Sequence, residues 1–245
     1  MFAKALALIA AASLATACRE DPQPPASAKQ AAERGSVGLM TTLPLLWGEA
    51  ADVGELLAAK GGSGWVRQEV EARFVIEPLD TLEPAALARL DRLVLAQPRP
   101  LAPQENVALD AWVRDGGRLL LFADPILTRH SRFPIGDRRR PQDAVLLSPI
   151  LAHWGLELMF DEAQSEGERR HEILGTDVPL NMAGSFRFRA GAPCEAVSGA
   201  VVARCRIGKG QVVALADAAV LDDPEGGDLE TRRVALGRLL GMAFE

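Results

Sequence analysis

The order of structural elements is clearest between residues 93 and 125, which read LVLAQPRPLAPQENVALDAWVRDGGRLLLFADP. The stretch opens on the apolar run 93–96 and ends with the apolar run 119–122, and each run has the length of a fully buried strand. Between them, Pro103 opens a helical pattern and a Gly-Gly pair closes it. A strand, a helix and a second strand in this order predict a parallel sheet covered by helices.

The helix inside this stretch is predicted to bury one apolar stripe. Residues spaced three or four apart share one face of a helix, and the apolar face is the one that normally packs on the sheet. The stripe is formed by Val107, Leu109, Trp112 and Val113.

The alternation of strands and helices continues on both sides of this stretch. Further strands are predicted at 37–40, 74–76, 156–160, 186–189 and 211–216, with a hairpin across 194–206. Helical patterns lie around Leu56 and at 84–90, 148–154 and 229–242, the last with Val234 on its buried side. The predicted fold class is therefore α/β, a mostly parallel sheet with helices on both faces and an antiparallel β extension in the second half.

The N-terminus has the features of a bacterial export signal. One charge at Lys4 precedes a short apolar run, and small residues lead directly to Cys18. We therefore predict a signal peptide over residues 1–17 and lipidation of Cys18. Residues 18–35 are polar and proline-rich, which is typical of an extended tether, and one α/β domain is expected over residues 36–245. The predicted location is periplasm-facing and membrane-anchored; a cleaved signal that merely contains a cysteine is the alternative.

Composition excludes several classes of protein. The chain has 245 residues, of which 48% are hydrophobic and 24% charged, which is enough to bury a core and argues against global disorder. A formal net charge of −6 argues against a nucleic-acid partner. Three His and three Cys are scattered along the chain, so no metal site and no cofactor are predicted.

Several pieces of the sequence together resemble a known family. They are residues 93–125, the segment SPILAHWGL at 148–156 and the segment GKGQVVALAD at 208–217. In this order they are similar to the GldG-type auxiliary domain of ABC transport systems. The resemblance implies a fold of the glutamine-amidotransferase or flavodoxin type, a position outside the cytoplasm, and a partner that is an ABC-type permease and ATPase complex or another envelope protein.

The function expected from this resemblance is that of a non-catalytic, lipid-anchored component of an ABC-type transport or gliding-type surface machine. Two alternatives remain open at the level of the sequence. One is a hydrolase with an amidotransferase-like fold that uses carboxylates at the strand ends. The other is a structural envelope lipoprotein that binds glycan.

Polar residues follow the predicted parallel strands and are candidates for lining a cleft. Because ligands of open α/β sheets bind beyond the carboxyl ends of the strands, Thr41, Thr42, Gln97, Asp124 and Asp217 are expected at one edge. Two carboxylates in one cleft could perform acid–base chemistry or hold a cation. Alternatively, Asp124 and Asp217 cap the turns that follow their strands.

Motifs of common enzyme classes are missing from the sequence. An amidotransferase-like hydrolase places a cysteine on the turn after a strand, whereas the third strand here runs into Gln97. The sequence GGSG at 61–64 lacks the spacing of a nucleophile elbow, and GKGQ at 208–211 lacks that of a phosphate loop. No catalytic residue is predicted.

Two cysteines are expected to form a disulfide. A hairpin that turns at 198–200 sets Cys194 opposite Cys205, and Cβ atoms of opposed residues lie about 4.5–5.5 Å apart. Export would place them where disulfides persist.

A basic stretch at 128–140 is the second candidate binding feature. It ends in Arg138, Arg139 and Arg140, which could contact an anionic headgroup, a glycan phosphate or an acidic partner. Alternatively, the run is a solvated loop.

Overall fold

A computed structural model of the chain describes residues 34–50, 54, 64–224 and 228–245. The predicted signal peptide, Cys18, nearly all of the predicted tether and the helical segment around Leu56 lie outside these residues. Residues 34–245 form one compact unit.

The strands are β1 (Ser36–Thr41), β2 (Val75–Pro78), β3 (Arg92–Ala96), β4 (Arg118–Phe122), β5 (Leu156–Met159), β6 (Glu168–Ile173), β7 (Thr176–Asn181), β8 (Ser185–Phe188), β9 (Cys194–Ser198), β10 (Val202–Ile207) and β11 (Gly210–Leu215). The helices are α1 (Trp65–Glu71), α2 (Pro84–Leu87), α3 (Pro103–Asp115), α4 (Ser148–His153) and α5 (Leu229–Phe244), with a short 3-10 helix at Ala219–Leu221.

Within the described residues, seven strands form one sheet in the order β2-β1-β3-β4-β11-β10-β9. The pairs from β2 to β11 are parallel, and β10 and β9 extend the sheet with antiparallel pairs. The predicted fold class is confirmed, including the antiparallel extension. Two small antiparallel sheets, β5-β8 and β6-β7, accompany the central one.

The central strands are buried on both faces. Along β4, Leu119 and Leu121 join one apolar cluster, and Leu120 and Phe122 join the other. Helices α2, α3 and α4 contribute to the first cluster, while α1, α5 and strand β7 contribute to the second. Alternating side chains of each strand therefore enter two separate cores, as expected for a parallel sheet covered on both faces.

The predicted disulfide is confirmed. Cys194 in β9 faces Cys205 in β10, and the two are bonded with Cα atoms 3.9 Å apart. The link joins the outermost strand of the sheet to its neighbour, and Cys205 is fully buried.

Two residues predicted to be buried are exposed. Val107 in α3 is 70% exposed and Val234 in α5 is 52% exposed. Both lie on the outward side of helices that pack on the sheet. The apolar residues of each helix therefore extend beyond the part of its surface that contacts the sheet. Among the described residues, no helix has both the length and the apolar character needed to span a membrane.

The turn between β10 and β11 packs directly on the end of α3. Gly208 has a φ of +60°, and a Cβ on Gly210 would lie 2.0 Å from the carbonyl oxygen of Val113 and 2.4 Å from that of Gly117. These glycines are required by close backbone contact, which gives the GKGQ segment a packing role.

Replacing Gly210 by Ala is expected to destabilise the fold by about 3 kcal/mol or more, because the new methyl group would overlap fixed backbone atoms. Gly48 provides the matched control, since a Cβ there meets nothing within 4 Å. Urea unfolding of Gly210→Ala and Gly48→Ala measures the difference. Equal midpoints for the two variants would show that the turn can move away from α3.

Reduction of the Cys194–Cys205 disulfide is expected to lower the free energy of unfolding by about 2–3 kcal/mol, because the unfolded chain regains the freedom of the closed loop. Urea unfolding of the same protein with and without a phosphine reductant measures this. The double variant Cys194→Ala, Cys205→Ala is the control and should not respond to the reductant. An identical response of both proteins would contradict the expectation.

Candidate functional site

The five polar residues expected at the strand ends follow neighbouring strands of the sheet. Thr41 ends β1 and Thr42 comes directly after it, Gln97 follows β3, and Asp124 and Asp217 lie two residues beyond β4 and β11. Since β1, β3, β4 and β11 are adjacent and parallel, these residues lie along one carboxyl edge.

Gln97 ties the ends of β3 and β4 together. It is fully buried and its φ is +44°, a left-handed conformation that is uncommon for a residue other than glycine. Its Nε2 donates to the carbonyl oxygens of Asp124 at 3.1 Å and Gln142 at 3.0 Å, and its Oε1 accepts from the backbone N–H of Asp124 at 3.0 Å. The amide side chain thus replaces the backbone hydrogen bonds that the diverging strands no longer make.

Thr42 completes this arrangement from the β1 side. Its hydroxyl donates to the carbonyl oxygen of Gln97 at 2.5 Å and accepts from the backbone N–H of Gln142 at 3.1 Å. We call Thr42, Gln97, Asp124 and Gln142 the strand-end clamp. Thr41 is not part of the clamp, because its hydroxyl accepts from the N–H of Leu43 within its own turn.

Both candidate carboxylates cap the turns that follow their strands. Asp124 is fully buried and accepts from the N–H groups of Ile126 at 2.9 Å and Ala218 at 3.2 Å. Asp217 is also fully buried and accepts from the N–H groups of Ala219 at 2.5 Å and Asn181 at 2.9 Å. The capping alternative describes their geometry, since each oxygen is occupied by a backbone donor and neither residue faces solvent.

Burial also changes the protonation of these groups. It raises the pKa of Asp124 to about 7, against the opposing effect of its two backbone hydrogen bonds. Burial, and next the charge of nearby Asp124, raise the pKa of Asp217 well above its usual range. The pKa of Asp222 is raised by burial as well, although Arg129 opposes this. Raised carboxyl pKa values are common in active sites, but Asp124 and Asp217 are fully buried here and do not reach the surface.

An open surface lies at the same edge of the sheet. A cavity of about 310 Å³ is lined by apolar residues that include Leu45, Trp65 and Leu221 and by polar residues that include Arg129. The guanidinium of Arg129 binds Asp222 at 3.0 Å and also contacts Asp223 at 3.1 Å. The surface can therefore offer apolar contact and paired charges to a ligand.

The predicted anion-binding arginines are mostly engaged by carboxylates of their own loop. Arg139 binds Asp137 at 2.7 Å, and Arg140 binds Asp143 at 2.8 Å. Arg138 is exposed. Neutralisation by neighbouring Asp residues reduces the attraction that this loop can exert on an external anion.

The structure connects Thr42 to Asp124 through Gln97, and it places Asp217 near enough to Asp124 for their charges to interact. Sequence reasoning missed Gln142, whose backbone bonds to both Thr42 and Gln97, because it lies just after the basic stretch 128–140 and belongs to no periodic pattern. The disulfide lies apart, on the antiparallel strands. Among the described residues, no three His, Cys, Asp or Glu side chains form a group that could hold a metal ion.

These features define an α/β protein with a doubly covered parallel sheet whose strand ends are closed by buried polar groups. The chain belongs to the family described as "ABC-type uncharacterized transport system", whose sequence profile matches residues 34–173. The resemblance found in the sequence is thereby confirmed. A comparison with curated proteins found no match.

A solved structure shares the fold at low sequence identity. The "mmIFT52 N-terminal domain" aligns with a TM-score of 0.56 and 11% identity over 86% of this chain and 98% of that domain. Exo-beta-1,4-mannosidase Op5Man5 from Opitutaceae bacterium strain TAV5 aligns with a TM-score of 0.49 and 13% identity over 84% of this chain. The chain spans only 35% of that mannosidase.

Raising the pH from about 4.5 to about 7.5 is expected to lower the free energy of unfolding. The decrease is up to about 1.4 kcal/mol per pH unit for each proton that the folded state keeps and the unfolded chain has released. The raised pKa of Asp124 means that the folded state keeps a proton that the unfolded chain has already released, so stability falls as pH rises through this window. Asp217 and Asp222 act in the same direction.

Urea unfolding at a series of pH values measures this slope. Asp124→Asn is expected to flatten it, because the amide does not titrate, and also to lower stability, because its NH2 group cannot accept from Ala218. Stability that increases with pH across the window would contradict the assignment.

Proposed function

We propose that this chain is a lipid-anchored, envelope-located and non-catalytic auxiliary component of an ABC-type transport system or a gliding-type surface machine. Membership of the family over residues 34–173 carries the proposal. The chain would act by binding an envelope partner, and ATP hydrolysis would be performed by a separate subunit.

The state of the strand ends supports a role without catalysis. A general acid or base must reach its substrate to within hydrogen-bond distance. Asp124 and Asp217 are fully buried and bonded to backbone N–H groups, which disfavours the hydrolase alternative. The turn after β3, where an amidotransferase-like hydrolase would carry its cysteine, holds Gln97, whose amide is engaged on both sides.

The location outside the cytoplasm has independent support. The Cys194–Cys205 disulfide is of a kind that persists in oxidising compartments and is rare in the cytosol. The sequence around Cys18 resembles a lipoprotein signal. Acyl chains on Cys18 would hold the protein on a membrane, because each buried methylene group contributes about 0.8 kcal/mol.

Fractionation of cells that carry the full chain with a C-terminal tag tests the location. The wild-type chain is expected in the membrane fraction and to incorporate radiolabelled palmitate. Cys18→Ala is expected to lose the label and to leave the membrane, whereas Cys194→Ala should keep the label, because it removes a cysteine outside the signal. Label on Cys18→Ala, or a wild-type chain recovered in the soluble fraction, would contradict lipid anchoring.

Purification of the tagged wild-type chain from detergent-solubilised membranes tests the partner. An ABC-type ATPase and its permease are expected to be enriched over a purification from untagged cells. Sedimentation of the chain with isolated peptidoglycan, without ABC subunits, would instead support the structural, glycan-binding alternative and overturn the proposal.

A further inference from the structure

A groove lies between α2 and α3, on the face of the sheet opposite to α1 and α5. Its volume is about 560 Å³. Most of its lining is apolar or small, and only a few polar residues stand at its ends. The lining includes Leu87, Ala88, Val107, Ala111 and Trp112.

The floor of the groove is held in a fixed position. The indole N–H of Trp112 donates to the carbonyl oxygen of Leu90 at 2.8 Å. Beneath the ring lies Gly117, where a Cβ would come within 2.4 Å of the indole carbons. Trp112 therefore lies flat against backbone and is fixed before any partner arrives, which reduces the ordering cost of binding.

The groove has the shape that a helix requires. Gln104, Val107, Ala111 and Asp115 line it at intervals of three or four residues along α3, so they form one outward stripe about 17 Å long. Val107 stands out of this stripe with 70% exposure, whereas Ala111 and the facing Ala88 are small. Small residues beside a protruding one allow a second helix to pack closely, because a row of its side chains can fit into the groove.

The charge of the groove is acidic at one end. Asp91 and Asp115 line it where β3 and β4 begin, close to the C-terminal carbonyl groups of α3, which add partial negative charge. Asp115 contacts Lys209, but both side chains are mostly exposed, so the pair can exchange partners. Among the residues that the structure describes, no Lys, Arg or His lines the groove.

Two cations at the starts of these strands have partners elsewhere. Arg118 at the start of β4 donates to the carbonyl oxygen of Phe244, and Arg92 at the start of β3 lies over the ring of Phe74. Both partners belong to the opposite face of the sheet. Lys209 is thus the cation seen to pair with an acidic residue of this end among the described residues.

We propose that this groove is a docking site for an amphipathic helix of a partner protein. The helix would be about three turns long, with an apolar stripe against Val107, Ala111 and Trp112 and with Lys or Arg at the end beside Asp91 and Asp115. Helix-in-groove recognition uses apolar anchors at this spacing, and complementary charge at the rim sets its orientation. The proposal does not depend on the transport role.

Site-specific photocrosslinking in cells tests the site. A benzophenone amino acid is placed at Val107 of the full chain, and the matched control is placed at Val234, an exposed valine on α5 at the opposite face. The Val107 position is expected to give at least about tenfold more adduct, and mass spectrometry should map it to a basic amphipathic helix of another protein. Equal yields, no adduct, an acidic segment or a second copy of this chain would each overturn the proposal.

A binding measurement with the mapped segment tests the chemistry. The fluorescently labelled synthetic segment is titrated with the purified full chain. Val107→Asp, and separately the pair Asp91→Lys and Asp115→Lys, are expected to weaken binding about tenfold, whereas Val234→Asp should not change it. A segment with its Lys and Arg replaced by Glu should recover binding to the Asp91→Lys, Asp115→Lys chain. Failure of this recovery, with circular dichroism unchanged, would show that the rim charges do not recognise the partner.

Discussion

The structure depends on the burial of the central parallel strands on both faces. In β4, all four residues from Leu119 to Phe122 are buried, and alternate ones enter different cores. A strand of this kind cannot face water on either side, so helices must cover the sheet on both faces. The packing of α3 and α4 on one side and of α1 and α5 on the other follows from this requirement.

The same requirement creates a problem at the carboxyl edge. Where parallel strands end and diverge, backbone groups lose their partners while still buried, and an unpaired buried group is costly. The strand-end clamp, which contains Asp124, and the buried Asp217 supply those partners. The features that suggest chemistry in the sequence, polar residues at strand ends, are thus used to close the sheet. Raised pKa values at Asp124 and Asp217 follow from this closure, since a buried carboxyl group favours its neutral form.

The β6-β7 hairpin shows how tertiary contacts override a local pattern. Its first strand begins Glu168-Arg-Arg-His-Glu, and the second contains Pro179, so neither resembles a buried strand in sequence. The hairpin is held from outside, because β7 packs on α5 and the guanidinium of Arg232 in α5 bonds to Glu168 and to the carbonyl oxygen of Ala219. Neither contact is visible from the spacing of residues within the hairpin.

The sequence by itself determined the class of fold, the positions of the parallel strands along the chain and the pairing of Cys194 with Cys205. Apolar runs, the positions of glycine and proline, and the register of a hairpin are local properties, so they can be predicted from a single segment. Only the tertiary structure decided which polar groups meet. Gln142 joins Thr42 and Gln97 from a distant loop. Val107 and Val234 are exposed because neighbouring elements decide how much of each helix surface is buried. Hydrogen-bond partners, and the exposure of helix residues such as Val107 and Val234, depend on distant segments, so a pattern within one segment could not specify them.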